Sequence, residues 1–354
     1  VEYPRMEDPA VTPWGPEKWT VDYRDKNRVN CHDTGTAPCK TACPAHIAVQ
    51  GYLKLAAQGK YREALQLIKR ENPFPAVCGR ICNRRCEDAC TRGTVDQAVA
   101  IDEVKRFIAQ QDLDAATRFV PEKVIPKVDG AFDQQIAIIG GGPAGLSCAY
   151  YLAEKGYRPT VFEKERRLGG MLENGLPSFR LEKDVVQAEI DVLREMGVQF
   201  RCGVEVGKDV TIAQLREQGY QGFYVAVGLQ SGGRLNIPGD DAQGVTAGID
   251  FMRRVNGGQE TKLEGRVVVI GGGNIAADVA RTAVRCGAES VDLYCLESYD
   301  DMPMGPEDRG ECERDGITIH AGWGQTEIVT ENGRDPLPQV SAGEERLGPL
   351  RPGI

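Results

Sequence analysis

Two stretches of this chain read as the same supersecondary unit. QQIAIIGGGPAGLSCAYYLAEKGYRPTVFEKE, from Gln134, runs as strand, glycine-rich turn, helix closed by Gly156, and second strand. The pattern returns in GRVVVIGGGNIAADVARTAVRCGAESVDLYCLE, with Gly271 standing 131 residues after Gly140. A βαβ unit commits the chain to parallel pairing and a right-handed crossover. Two in series imply two doubly wound α/β domains, each with its own nucleotide.

A lone glycine triplet is weak, but here its context is complete. Gly140, Gly142 and Gly145 follow the strand Ile136–Ile139 and open a helix, with Pro143 and Ala144 between them. Gly140 permits the tight turn. Gly142 lets a pyrophosphate approach the backbone at a helix N-terminus. Gly145 lets helix and strand pack closely. Glu163 ends the second strand, 23 residues after Gly140, where a carboxylate holds ribose hydroxyls. In the second unit Gly271 and Gly273 take the first two roles and Ala276 the third. Asn274 stands at the helix start as a candidate cap. Two such sites in one chain imply one tightly held redox cofactor and one exchanging nicotinamide.

The other constraining feature is cysteine. Of twelve, seven (Cys31, Cys39, Cys43, Cys78, Cys82, Cys86 and Cys90) lie between residues 31 and 90, and CGRICNRRCEDAC places four at every fourth position. Disulfide staples, a zinc site and a soft metal centre compete for them. The net charge is −9, which gives a nucleic-acid role no support. No apolar run approaches the roughly 18–20 residues needed to span a bilayer. The N-terminus lacks the basic start and apolar stretch of a secretion signal. A cytoplasmic location, where thiols stay reduced, is the expectation.

Residues 1–28 read as an irregular arm. Residues 29–112 read as a helical Cys-rich domain, with two short helices ending at Gly59 and before Pro73 and a third in VAIDEVKRFIAQQDL. Residues 113–132 read as an extended linker.

The Cys-rich module, then GGGPAG, LGGMLENGLPSFRLEKDVV, the AVG at Ala226–Gly228 and GGGNIAADVAR resemble the small (β) subunit of glutamate synthase and its relatives. Among these are the N-terminal half of dihydropyrimidine dehydrogenase and electron-bifurcating transhydrogenases. The likeness runs from about residue 29 to 334. It implies a helical [4Fe–4S] domain followed by two Rossmann-like domains: 133–256 for FAD, its C-terminal part missing, and 257–334 for NAD(P), truncated. It implies that NAD(P)H reduces FAD and that clusters carry electrons to a partner subunit or ferredoxin, with neither nucleic acid nor membrane as partner. Gly170 and Arg180 match positions near the flavin. Cys43, Cys82, Cys86 and Cys90 match one cluster, with Cys78 a non-ligating neighbour; thiolate sulfur suits such clusters.

Three departures accompany the likeness. The family's other cluster uses C-x2-C-x4-C and a later Glu or Gln. Here Cys31 and Cys39 remain, Thr34 takes the middle place, Lys105 stands for the Glu or Gln, and His32 is a candidate substitute. NADPH-using relatives carry an Arg pair before an MP pair; aligned on Met302 and Pro303, this chain has Leu296 and Glu297, which favours NADH. After Arg334 the family text stops, and 335–354 read as a tail with no strand or helix period, as in a fragment. The leading expectation is an electron-transfer flavoprotein. An input subunit of dihydropyrimidine dehydrogenase type and a non-catalytic docking module are the alternatives.

Overall fold

The computed structural model describes residues 37–122, 132–259 and 262–329, and the backbone of 339–342. The chain divides into two compact units. One comprises Val1–Asp133, Ala149–Arg158 and Ala188–Val198; the other comprises Gln134–Cys148, Pro159–Gln187 and Gln199–Ile354.

The first unit is built from short helices: α1 (Pro38–Ala42), α2 (Val49–Ala57), α3 (Tyr61–Lys69), α4 (Pro75–Ile81), α5 (Arg85–Asp88) and α6 (Ile101–Ala109). α2 stops at Gly59, whose φ of 73° closes the turn, as its position after the apolar run predicts. α3 stops short of Pro73, and Leu65 and Ile68 form its buried stripe. They join Ile47, Val49, Tyr52, Ala64, Ile101 and Ile108 in one core, against which Cys39, Cys43 and Cys86 also pack. The predicted third helix is present as α6, followed by a 3₁₀ turn at Gln110–Asp112. The short helices α1, α4 and α5 have no period of their own in the sequence, since four to seven residues are too few to show one. α1 and α5 bury no side chain, so helix propensity and core packing do little to fix them.

Two buried polar features hold the edges of this unit. Lys69 Nζ stands 2.5 Å from Asp112 Oδ2, with side chains 1% and 0% exposed. Glu189, fully buried, accepts from Ala76 N–H at 2.8 Å and Val77 N–H at 2.9 Å. It thereby satisfies the free N-terminal donors of α4, which has no cap of its own.

The second unit carries two parallel sheets. The first is made of β1 (Gln135–Ile139), β2 (Arg158–Glu163), β3 (Gln199–Cys202) and β4 (Tyr220–Val225), in the order β3-β2-β1-β4. Its helices are α7 (Pro143–Glu154), α8 (Met171–Asn174), α9 (Lys183–Glu195) and α10 (Ile212–Glu217). The order reverses beside β1, which makes the carboxyl end of β1 the switch point where such sheets bind ligands. After α11 (Gly248–Asn256), β5 (Arg266–Ile270), α12 (Asn274–Arg285), β6 (Ser290–Cys295), α13 (Pro306–Arg314) and β7 (Thr318–Ala321) form the second sheet, β5-β6-β7. Its core gathers Ala277, Ala280 and Ala283 of α12 under Val291 and Leu293. Both predicted βαβ units are present.

The expected tail without regular structure is corrected at one place. β9 (Gln339–Ala342) pairs antiparallel with β8 (Gln325–Val329). Four residues are too few for a period, and a backbone ladder needs none. The arm at 1–28, Cys31, His32, Thr34 and residues 123–131 of the linker lie outside the described residues.

The Lys69–Asp112 pair yields a test. Lys69→Met should destabilise the protein by about 3 kcal/mol, because Asp112 is left charged and buried. The double variant Lys69→Met/Asp112→Leu should recover most of that loss in urea unfolding. A single variant as stable as the parent would show that the pair carries no such constraint.

Candidate functional site

The first glycine turn is shaped by close approaches. Gly140 has φ 112°, and a Cβ there would stand 2.3 Å from Ala226 O. A Cβ on Gly145 would stand 2.0 Å from Gly140 O, so helix and strand meet at their backbones. Gly142 differs: the nearest atom to a Cβ there is Gly170 Cα, 3.9 Å away, which leaves open space over the backbone. Pro143 and Ala144 open α7 beside it. A second glycine pair backs the turn, with Gly169 N–H donating to Gly141 O at 2.8 Å. Gly170, with φ 54°, would place a Cβ 2.9 Å from Gly142 Cα. Glu163 is 4% exposed and lies against the turn. Gly141 N–H donates to its Oε2 at 2.6 Å and Glu165 N–H to its Oε1 at 2.9 Å. The open backbone at Gly142, the helix start and this carboxylate fit a dinucleotide.

The second turn repeats the plan. Gly271 has φ 140°, a Cβ on Gly273 would meet nothing within 4 Å, and Ala276 is buried at the third place. A Cβ on Gly272 would stand 2.8 Å from Glu297 Oε2, so this carboxylate lies over its turn as Glu163 lies over the first. Leu296 beside it is exposed. Asn274 does not cap α12: Gly273 occupies the cap position, and Asn274 Oδ1 instead accepts from Gly305 N–H at 3.1 Å. As the first helical residue, Asn274 ties the loop before α13 to the turn.

The thiols gather in the first unit. Cys39, Cys43, Cys78, Cys82, Cys86 and Cys90 form no disulfide. α1 packs against α5, bringing Cys39 and Cys43 toward Cys86 and Cys90. Burial raises the Cys39 thiol above its ordinary range, and the neighbouring Cys90 and Cys43 add to the rise. Burial pushes Cys86 up to about 11, with Cys82 and Cys43 contributing and Lys105 opposing. Cys43 is thus common to both groups. Arg84, with φ 55°, presents its backbone N–H to Cys82 Sγ at 3.4 Å. Cys78 stands apart in character: its thiol donates to Asn72 Oδ1 at 3.7 Å, and burial pushes it up to about 11. Among the described residues no three His, Cys, Asp or Glu side chains converge on a single metal ion. An all-sulfur donor set is what iron–sulfur clusters take.

Residues 22–117 match the family model described as dihydropyrimidine dehydrogenase domain II, 4Fe-4S cluster, and 134–346 match pyridine nucleotide-disulphide oxidoreductase. The chain is 36% identical over 330 residues to the glutamate synthase [NADPH] small chain of Halomonas elongata, covering 90% of itself and 68% of that protein. The chain belongs to the glutamate synthase small-chain family of pyridine nucleotide-disulphide oxidoreductases. It is also 37% identical over 317 residues to the NADP(+)-dependent formate dehydrogenase subunit beta of Moorella thermoacetica, covering 84% of itself but spanning only 45% of that relative. A solved 2-naphthoyl-CoA reductase in complex with 2-naphthoyl-CoA shares the fold, with TM-score 0.51 at 16% identity over 81% of this chain and 39% of that one. Among the described residues no helix is long and apolar enough to cross a membrane.

In this family member the segment around Arg180 makes contacts that its sequence does not announce. Arg180 Nη1 stands 3.1 Å from Asp278 Oδ1 on α12, and Nη2 bonds Asp308 on α13. Phe179 lies under the Arg281 and Arg285 guanidiniums, 4.8 and 4.2 Å from the ring centroid. Asn256 Nδ2 donates to the Asn174 and Leu176 carbonyls. Sequence reasoning missed Asp278 and Asp308, which stand 98 and 128 residues from their shared cation. Lys183 Nζ donates to Leu172 O at 3.0 Å, and burial pulls it down to about 8.

Burial pushes Asp278 up to about 6, against the pull of Arg180. Its ordinary value is about 3.9, so between the two the folded chain binds more protons than the unfolded one. Stability from this group therefore falls as pH rises through that window. Arg180→Ala should deepen the fall, costing about 3 kcal/mol at pH 8 with both carboxylates charged and uncompensated. At pH 5, with Asp278 protonated, the loss should be less than half as large. Denaturant unfolding at the two pH values checks this; an equal loss at both would remove Asp278 from the account.

Proposed function

We propose that this chain is the electron-input module of an NAD(P)H-dependent FAD and iron–sulfur oxidoreductase. It would hold FAD at the Gly140–Gly145 turn, with Glu163 on the ribose and Gly170 backing the pyrophosphate. It would hold a nicotinamide dinucleotide at Gly271–Ala276. Cys43, Cys82, Cys86 and Cys90 would take one [4Fe–4S] cluster; Cys39, beside Cys90, stays a candidate for a second with Cys31. The observation that carries the reading is the presence of two open glycine turns, each with a carboxylate laid over it, in one chain with six clustered thiols. When bound, the flavin takes two electrons from reduced nicotinamide and the cluster passes electrons on singly.

The chain's own residues bind and orient. The backbone at Gly142 and the start of α7 favour a negatively charged pyrophosphate. The Arg84 N–H directed at Cys82 Sγ supports a thiolate there. No side-chain acid or base is required. Electrons would leave to a partner subunit or a ferredoxin. The relatives' names specify NADP(H), and those relatives are assembled as subunits.

NADH is the proposed donor. Leu296 and Glu297 stand where NADPH users of the family resemblance carry an Arg pair, and Glu297 lies over Gly272. A carboxylate accepts from a free 2′-hydroxyl and repels a 2′-phosphate. A lost charge-assisted contact is worth about 1.5–3 kcal/mol, a preference of about tenfold to a hundredfold.

Two binding variants test the cofactor assignments. Gly142→Val should lose flavin absorbance near 450 nm while keeping iron. Cys86→Ser should lose iron while keeping flavin. Each reversed result would displace the corresponding assignment. Stopped-flow flavin reduction should be faster with NADH at low, equal concentrations, and Glu297→Arg should gain rate with NADPH. Equal rates in the parent and no gain in the variant would sink the NADH reading.

A further inference from the structure

Helix α6 faces the wrong way for its composition. Phe107 is 58% exposed, and Lys105, two residues earlier, is 6% exposed. Phe107 instead rests edge-on against Tyr61, with ring centroids 5.2 Å apart. The buried face of α6 comprises Ile101, Asp102, Lys105, Ile108 and Ala109, and it packs on α4. The two backbones nearly touch: a Cβ on Gly79 would stand 2.8 Å from Arg106 Cα. This close approach sets Lys105 beside the α4 segment that carries Cys78 and Cys82, within charge reach of both and of Cys86 on α5.

Lys105 Nζ stands 2.5 Å from Asp102 Oδ1, whose side chain is 3% exposed. Among the described residues Asp102 is its one ion-pair partner. An ammonium has three N–H donors and no lone pair to give a metal, so Lys105 cannot be a ligand in that state. Burying a lysine is costly unless its charge is used. The Asp102 ion pair accounts for one donor, on the face of α6 that packs against the thiol-bearing α4.

We propose that Lys105 is an electrostatic tuning residue for the iron–sulfur centre held by Cys82 and Cys86. Its fixed positive charge stabilises the reduced centre and raises the reduction potential, and Asp102 partly offsets it. The proposal rests on the reading that these thiols hold a cluster. On reduction the centre gains one electron and its net charge falls by one; no bond breaks and no proton moves. Charge and hydrogen bonds at the sulfurs are established levers on cluster potential.

The test is an EPR-monitored redox titration of the full chain, purified anaerobically with its iron. Lys105→Met should lower the potential, and Lys105→Arg should leave it near the parent value. Asp102→Asn, which leaves the lysine charge unopposed, should raise it. A tenfold change in the one-electron equilibrium, about 59 mV, is the expected size. Opposite signs for Lys105→Met and Asp102→Asn are a signature that a purely structural pair would not produce. If Lys105→Met fails to fold, the rise in Asp102→Asn and the parent-like Lys105→Arg still decide. Unmoved potentials, or shifts of one sign in both charge variants, overturn the proposal while the cluster reading stands. A parent protein without iron overturns that reading and the proposal together.

Discussion

A carboxylate laid over a glycine turn is the constraint on which both proposed nucleotide sites depend. Glu163 takes the Gly141 N–H at 2.6 Å, and Glu297 reaches to within 2.8 Å of where a Cβ on Gly272 would stand. In each case the turn must be bare, because a side chain would displace either the carboxylate or the neighbouring backbone. The next glycine along, Gly142 or Gly273, is bare for the opposite reason: nothing fills the space above it. The same short sequence therefore fixes its acid on one side and keeps its other side open for a ligand. Parallel strand order places the first turn at the switch point, where ligand access is built into the topology.

The cysteine-bearing unit solves a different problem. Its thiols sit on or beside helices of four to seven residues, of which α1 and α5 bury no side chain. Such pieces need anchors. Glu189 supplies one by taking two backbone N–H groups of α4, and the contact of α4 with α6 at Gly79 supplies another. A bound cluster would be a third, since metal binding adds directly to folding free energy.

The parts legible in the sequence are those set by local geometry. Gly140, Gly142, Gly145 and Glu163 are tied by a fixed strand–turn–helix–strand path, so their spacing sets where they lie. Helices α2, α3 and α6 show their period and their stops. What was not legible is set by partners distant in the chain or by local inversions. Arg180 finds Asp278 and Asp308 on two different helices. Asn274 looks like a cap but bonds Gly305, because Gly273 holds the cap position. Lys105 and Phe107 exchange the burial that hydrophobicity assigns them, because a buried carboxylate, Asp102, pairs the cation inside.

The central claim is that one chain couples a nicotinamide-reduced flavin to an iron–sulfur centre. Anaerobic titration of the purified protein with NADH, followed by absorbance and low-temperature EPR on the same sample, tests it most directly. The account predicts loss of the flavin band near 450 nm together with a new EPR signal from a reduced iron–sulfur cluster. A protein that carries iron and flavin, and whose flavin bleaches while no cluster signal develops even with excess NADH, would contradict it.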